Sequence, residues 1–275
     1  MMKKITILIM ILIGLPSFIY AQNFKGQLER DIAILAPAGS LKSGEVLEYS
    51  VEWLGIPVGT IVFKNEGIVT IRNHDCYHIR AISFPNSFIR KFYDLEYEVH
   101  TYIDTKSLST RRFAKTRRMN NKPNNILIDF YPEEKKVVYK CWGETDFFKI
   151  SSVRDDSKIQ PTAEIPGDTQ DLLSSFYYLR LVQINVNQSY PVNVYYNQAN
   201  WPLSMDVEGT LIREIRKRGT FGAIKVSIVS DLNNFISGKR GFLVYLTADP
   251  RRIPIEFRVD SSLGYLHGII KAMPE

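Results

Sequence analysis

The sequence predicts a mainly β protein built on one large curved antiparallel sheet, with the form of a half-barrel or open barrel and one central helix (α+β by strict count). Alternating apolar and polar residues recur in about fourteen short segments separated by turn residues, which is typical of half-buried strands. Clear helical spacing occurs near 169–183 alone, so the crossover helices that a parallel sheet needs are missing.

Composition supports an ordinary globular protein. The 275 residues are 45% apolar, 23% charged and 12% aromatic, which excludes a disordered, collagen-like or many-span membrane protein. The chain has 2 cysteines, too few for a disulfide-rich miniprotein or a four-cysteine zinc site.

Residues 1–21 are interpreted as a secretory signal peptide. A basic head, Met1 to Lys4, precedes an apolar run that Pro16 interrupts, and Ala21 suits the cleavage position. An uncleaved anchor is the rival interpretation, but the run is shorter than the ~20 residues that span a bilayer. We therefore expect export to the periplasm or outer cell envelope, without lipid attachment because no cysteine lies at the junction.

The rest of the chain is expected to form one domain. Residues 22–43 form an irregular lead-in with a short helix near 28–35, and residues 44–275 form a single β-rich domain in two halves joined by the helix. The formal charge is +6, and Lys3 and Lys4 of the leader account for two of these charges. No stretch after the leader is apolar enough to span a membrane.

The first half begins with a predicted hairpin. Segment 45–54 alternates, 55–59 carries two glycines around Pro57, and 60–64 resumes the alternation. A helical turn is expected at 86–94. Further strands are predicted at 68–72, 77–84, 97–103, 109–118, 126–131, 136–142 and 147–151.

The helix is predicted over 169–183. Leu172, Phe176 and Leu179 recur at helical spacing, and Asp168 or Thr169 can cap the free N–H groups at its start. Tyr177 and Tyr178 are adjacent, so both cannot face the core. Strands follow at 190–196, 203–208, 211–217, 223–229, 241–248, 253–259 and 263–270.

Motifs for catalysis, metals and cofactors are missing. The chain has no Gly-x-Ser-x-Gly elbow, no phosphate-binding glycine loop and no His-Glu-x-x-His. His74 and His78 are four residues apart, but on a strand that offset spans ~13 Å, too far for one ion. His78 and His100 could still meet across strands. We predict no catalytic residue, no metal and no cofactor.

Basic residues concentrate on particular strands. Alternation places Arg111, Lys115 and Arg117 on one sheet face with Phe113, and Arg112 on the other. Such a strand could bind phosphorylated lipid heads or acidic glycans, or it could be a solvated edge that opposes aggregation. No nucleic-acid recognition module is visible. Two further basic clusters lie at 213–218 and 239–252.

Cys76 and Cys141 have two interpretations. In an exported protein they could form one disulfide, or both could remain buried free thiols. No Cys-x-x-Cys motif or histidine signature favours catalysis by either.

Three stretches resemble the bacterial family catalogued as domain of unknown function 3108. They are GEVLEY with GIPVGT at 44–60, DLLSSFYYLR at 171–180 and LTADPRRIPI at 246–255. The segment 92–104 is also compatible, so the resemblance covers about 44–270. It implies an exported, β-rich envelope protein with no established activity and no catalytic residue to transfer. Some such proteins look like periplasmic half-barrel carriers of lipids and lipoproteins, an analogy of fold alone.

Three functions follow in order of preference. The first is a non-catalytic envelope protein that binds or scaffolds, around an apolar or amphiphilic ligand. The second is a periplasmic lipid or lipoprotein carrier, and the third is a hydrolase of envelope glycans, which would need converging carboxylates. A ligand groove is expected between the helix and the concave sheet face, with Tyr177, Tyr178, Arg117 and Arg251 as candidate ligand-binding residues. Oligomeric state is left open.

Overall fold

Fourteen antiparallel strands form one sheet in the part of the chain that the computed structural model describes, residues 41–120, 122–143, 162–215, 218–230, 241–261 and 264–274. The first eight strands are β1 Val46–Trp53, β2 Ile56–Ile71, β3 His74–Pro85, β4 Leu95–Asp104, β5 Thr110–Met119, β6 Lys122–Tyr131, β7 Lys136–Gly143 and β8 Thr162–Glu164. The others are β9 Gln188–Tyr196, β10 Ala199–Ile215, β11 Gly219–Ser230, β12 Phe242–Thr247, β13 Pro254–Ser261 and β14 Gly264–Ile270. Two helices, α1 Ser87–Arg90 and α2 Leu172–Leu181, and a short 3-10 turn at Pro132–Glu134 complete these ranges.

The sheet consists of two meanders, β1–β8 and β9–β14, which are joined where the first strand, β1, pairs with the last, β14. The strand order is β8-β7-β6-β5-β4-β3-β2-β1-β14-β13-β12-β11-β10-β9, so every pair except β1–β14 joins consecutive strands. In that pair Tyr49 lies opposite Ile270. The edges of the sheet are β8 and β9, which makes the barrel open, as the alternation predicts.

The connection before α2 links the two edge regions. Gln170 forms a parallel bridge with Val194 on β9, and the carbonyl of Thr169 accepts from the N–H of Thr110 on β5 at 3.2 Å. The rings of Phe130 on β6 and Tyr195 on β9 pack edge to face, 6.1 Å between centroids. The sheet therefore curves until its two edge regions share contacts.

A buried N-cap holds the start of α2. The Asp171 carboxylate accepts from the N–H groups of Leu173 at 2.7 Å and Ser174 at 3.0 Å, and it also accepts from the hydroxyls of Thr101 on β4 and Thr110 on β5. Asp171 is 1% exposed, and this burial raises the pKa of its carboxyl despite the four donors. The cap thus fixes the helix to two strands as well as satisfying its orphan N–H groups.

Two arginines hold the other end of α2. Arg180 forms a bidentate pair with Glu45, with N–O distances of 2.6 and 2.8 Å, and the side chains are 2% and 5% exposed. Arg252 is buried and donates to the carbonyls of Leu179 and Val182, where the helix leaves acceptors unpaired.

Aromatic rings fill the space between α2 and the sheet. Phe176 of the helix packs against Phe63 of β2 and Phe257 of β13, with centroids 5.2 and 5.7 Å apart. Tyr49 of β1 touches the same two phenylalanines and donates its hydroxyl to the Pro254 carbonyl. This half of the interior is a packed core.

The observed elements differ from the prediction at two long strands and at the start of the helix. Segments 60–64 and 68–72 are one strand, β2, with a register shift between Asn65 and Gly67, and 203–208 and 211–217 are one strand, β10, with a shift at Gly209. Both glycines have positive φ, +105° and +153°, so they form β-bulges within continuous strands. The helix begins after Asp171, which is its N-cap. The predicted cap Asp168 lies outside the helix, and its carboxylate accepts a hydrogen bond from the Asn193 amide.

Some predictions lie outside the described residues. These are the leader 1–21, the short helix near 28–35 and the strand 147–151. The prediction also missed β8, a strand of three residues.

We expect Asp171→Ala to lower the free energy of unfolding by about 1–2 kcal/mol, because it removes the cap and the acceptor of the buried Thr101 hydroxyl. Urea unfolding followed by circular dichroism measures this. Asp168→Ala is the matched control, since Asp168 is exposed and does not cap. Equal stability of the two variants would contradict the assignment.

Candidate functional site

The inner face of β4–β7 differs from the packed core beside α2. On adjacent strands, directly opposed side chains share a face. Lys115 lies opposite Val99 and Ile126, and Arg117 lies opposite Tyr97 and Asn124. Since Tyr97 and Val99 are buried, Lys115 and Arg117 point to the interior of the barrel. We call this face the inner patch: Tyr97, Phe113, Lys115, Arg117, Asn124, Ile126, Ile128, Tyr139 and Cys141.

The inner patch remains partly accessible. Phe113, Lys115, Ile126 and Ile128 are half-buried, whereas the rings around α2 lie in the core. Most side chains of the patch are apolar or aromatic, and the two cations Lys115 and Arg117 lie among them. An apolar concave face with a few charged groups is the usual make-up of a small-molecule site.

The two cations have different environments. Arg117 is 8% exposed. Part of Lys115 is accessible, but protein surrounds its ammonium group, and this desolvation together with the charge of Arg117 lowers the pKa of Lys115 to about 8. Nearby Cys141 opposes this shift slightly.

Tyrosines border the inner patch. Burial raises the pKa of Tyr97 and of Tyr195 to about 12, so both stay protonated. Tyr195 reaches over from β9, where it is 3% exposed and packs in a cluster with Phe113 and Ile128. Its hydroxyl is buried without a hydrogen-bond partner.

A small cavity lies near the β1–β2 end of the barrel. Its volume is about 30 Å³, room for a single water. It is lined by Val51, Val58, Gly59, Thr60, Ile61, Ser83, Phe84, Pro85, Leu95 and Leu266. This cavity alone cannot hold a lipid chain.

The structure does not bring the four predicted ligand-binding residues together. Tyr177 is 1% exposed in the core, and Tyr178 is half-buried. Arg251 lies on the turn after β12, where it pairs with Asp249 at 2.8 Å. Of the four, only Arg117 lies on the inner patch. The groove expected between helix and sheet is filled by the rings around Phe176, so the concave face is accessible on the β4–β7 side instead.

The two cysteines are buried free thiols on β3 and β7. Three strands separate β3 from β7, about 19 Å along the sheet at ~4.8 Å a strand, well beyond the Cα spacing of a disulfide. The register also places Cys141 level with Ala81, five residues along β3 from Cys76. Of the two interpretations of these cysteines, the disulfide is therefore wrong and the pair of free thiols is confirmed.

Two histidines meet on the outer face. His78 Nε2 and His100 Nδ1 are 2.9 Å apart, and the ring of His78 stacks on Tyr102. Burial and the neighbouring imidazole lower the pKa of His78. Among the described residues no group of three or more metal-ligating side chains occurs.

Several described members of the other basic clusters pair with acidic neighbours. Arg111 sits at a β-bulge and pairs with Asp104 and Glu133, and Arg213 pairs with Glu256. Among described carboxyls, Asp171 has a raised pKa, but its place under the helix keeps it from a substrate. A glycan hydrolase would need an acid in an open cleft.

Comparisons with known proteins agree with this architecture. The family model DUF3108, a protein of unknown function, matches residues 48–268, so the chain belongs to that family, as the sequence motifs predict. No curated protein matches the chain. A solved structure, the beta-barrel-like protein of domain of unknown function DUF1849 from Brucella abortus, is similar with 11% identity and a TM-score of 0.50. The similarity covers 87% of this chain and 98% of that chain, and it shows the fold alone.

Burial raises the pKa of Cys76 to about 11, so its thiol should be unreactive in the folded protein. We expect Ellman's reagent to react slowly with native protein and to titrate two thiols per chain in guanidinium without reductant, because the chain has 2 cysteines and both are free. Finding no thiol until a reductant is added would contradict the free state.

Proposed function

We propose that this DUF3108 protein is an exported, non-catalytic cell-envelope protein that holds an anionic amphiphile against the inner patch. Lys115 and Arg117 bind the acidic head, and Phe113, Ile126 and Ile128 contact the apolar chain. The observation that carries the proposal is the position of two cations on the inward, apolar and still accessible face of a curved sheet.

The energetics of the two cations support an acidic ligand. The charges of Lys115 and Arg117 repel each other, which contributes to the lowered pKa of Lys115, and an acidic head next to both would offset this repulsion. A carboxylate or phosphate head also gives charge-assisted hydrogen bonds, which are stronger than neutral ones. The apolar neighbours favour a hydrocarbon chain over a wholly polar glycan.

The leader-like N-terminus supports export, and the described residues contain no helix long and apolar enough to cross a membrane. The carrier alternative uses the same site and adds transfer between membranes. Mass spectrometry of lipid that co-purifies with the protein identifies the ligand in either case.

Replacing both cations should weaken binding of a dansyl-labelled undecanoic acid. We expect Lys115→Met with Arg117→Met to raise the dissociation constant at least about tenfold, the size of one lost charged hydrogen bond. Dansyl fluorescence measures binding. Arg118→Met is the matched control, because Arg118 lies on the same strand, exposed on the outer face and paired with Glu98.

Three outcomes would overturn the proposal: no binding by the native protein, equal loss in the Arg118→Met control, or equal binding of the same dansyl alkyl chain ending in a neutral amide. Urea unfolding of each variant separates loss of binding from loss of the fold.

Binding should also depend on pH. Lys115 carries its charge below its pKa of about 8 and loses it above, so affinity for a carboxylate head should fall as pH rises from about 7 to 9. Lys115 shares its face with Tyr97, Arg117, Tyr139 and Cys141. Lys115→Arg should remove most of the pH dependence. A native profile that is flat over this range would contradict the role of Lys115.

A further inference from the structure

We propose that one end of the barrel docks on an anionic lipid bilayer through a set of exposed apolar side chains, the aromatic rim. The rim consists of Leu54, Ile56, Phe84, Phe88 and Phe92. This inference goes beyond the ligand site and does not depend on whether the inner patch binds an amphiphile.

The register brings the rim to one end of the sheet. Leu54 lies in the turn between β1 and β2, and Ile56 begins β2. Phe84 lies at the end of β3, opposite Thr60 near the start of β2. Phe88 and Phe92 follow on α1 and the connection to β4. Three separate loops and strand ends thus contribute to one surface.

The rim residues are unusually exposed for their size. Phe88 is 65% exposed, Phe92 55% and Ile56 61%. The rings of Phe88 and Phe92 also contact each other, 5.5 Å between centroids. A single exposed apolar residue is common, but a contiguous group of large ones marks an interface.

The turn that carries the two phenylalanines is held in place. Asn86 caps α1 by accepting from the N–H of Ile89 at 2.8 Å, and its amide donates to the Pro57 carbonyl at 2.7 Å. Ile89 is 7% exposed and anchors the turn in the core. Phe88 and Phe92 therefore project outward from an anchored turn.

Positive charge beside the rim favours an anionic bilayer as the partner. Segments 86–98 and 118–122 carry four basic side chains, Arg90, Lys91, Arg118 and Lys122, against three acidic ones, Asp94, Glu96 and Glu98. Arg90 pairs with Glu96 and Arg118 with Glu98, whereas Lys91 is exposed and adds to the positive charge of this surface. Segment 118–122 belongs to this surface because Met119 lies opposite Leu95 and the N–H of Asn120 donates to Asp94. Aromatic rings next to an excess of basic residues suit the headgroup region of an anionic bilayer.

Co-sedimentation with vesicles tests the proposal. Native protein should bind vesicles of phosphatidylglycerol and phosphatidylcholine, and bind pure phosphatidylcholine less. Phe88→Ser with Phe92→Ser should reduce the bound fraction on anionic vesicles at least tenfold. Ile68→Ser is the matched control, because Ile68 is 62% exposed at the opposite end of β2. It should bind like the native protein.

Lys91→Glu is a second variant, which leaves the apolar side chains intact. It should weaken binding to vesicles that contain phosphatidylglycerol and leave binding to pure phosphatidylcholine unchanged. Failure of the native protein to bind, or native-like binding by the double serine variant, would overturn the proposal. The proposal would also be overturned if the native protein bound no vesicles, sedimented as a dimer, and became monomeric in the double serine variant. That result would assign the rim to contact with a second copy of the chain.

Discussion

The carboxylate of Asp171 accepts hydrogen bonds from α2 and from the hydroxyls of β4 and β5, so the position of the helix inside the barrel depends on it. At the other end, Glu45 and Arg252 hold the helix through Arg180 and through its last carbonyls. A helix fixed at both ends can fill one side of the interior with aromatic rings. Among the described residues, no helix lies against the inner face of β4–β7.

This asymmetry explains how one sheet can have a packed core and an accessible concave face. Around Phe176, rings from β1, β2 and β13 meet the helix and exclude solvent. Along β5, the inward positions carry Lys115 and Arg117, whose charged groups resist close packing against apolar side chains. The same barrel thereby combines stability on one side with a place for a polar head on the other.

Local patterns predicted much of this architecture, and their failures have physical reasons. Alternation identified the strands and put Lys115 and Arg117 on one face, but it cannot tell the inner face from the outer, which only the burial of Tyr97 and Val99 decides.

Glycine signals were misread at Gly67 and Gly209, because the same residue marks a turn or a bulge. The local sequence favours Asp168 or Thr169 as the helix cap, because the threonines that select Asp171 lie some sixty and seventy residues earlier in the chain. Tyr195 was missed because it reaches the site from the opposite edge of the sheet.

The pairing of β1 with β14 has a consequence for the order of folding. All the remaining strand pairs join strands that are consecutive in the chain. The β1–β14 pair instead joins distant parts of the chain, with Tyr49 opposite Ile270. Contacts between distant residues form slowly because a long loop must close first. During synthesis, the first meander can form while the second is still absent. The β1 edge then stays unpaired until the last strand emerges, so this edge is where the nascent protein is most exposed to wrong partners.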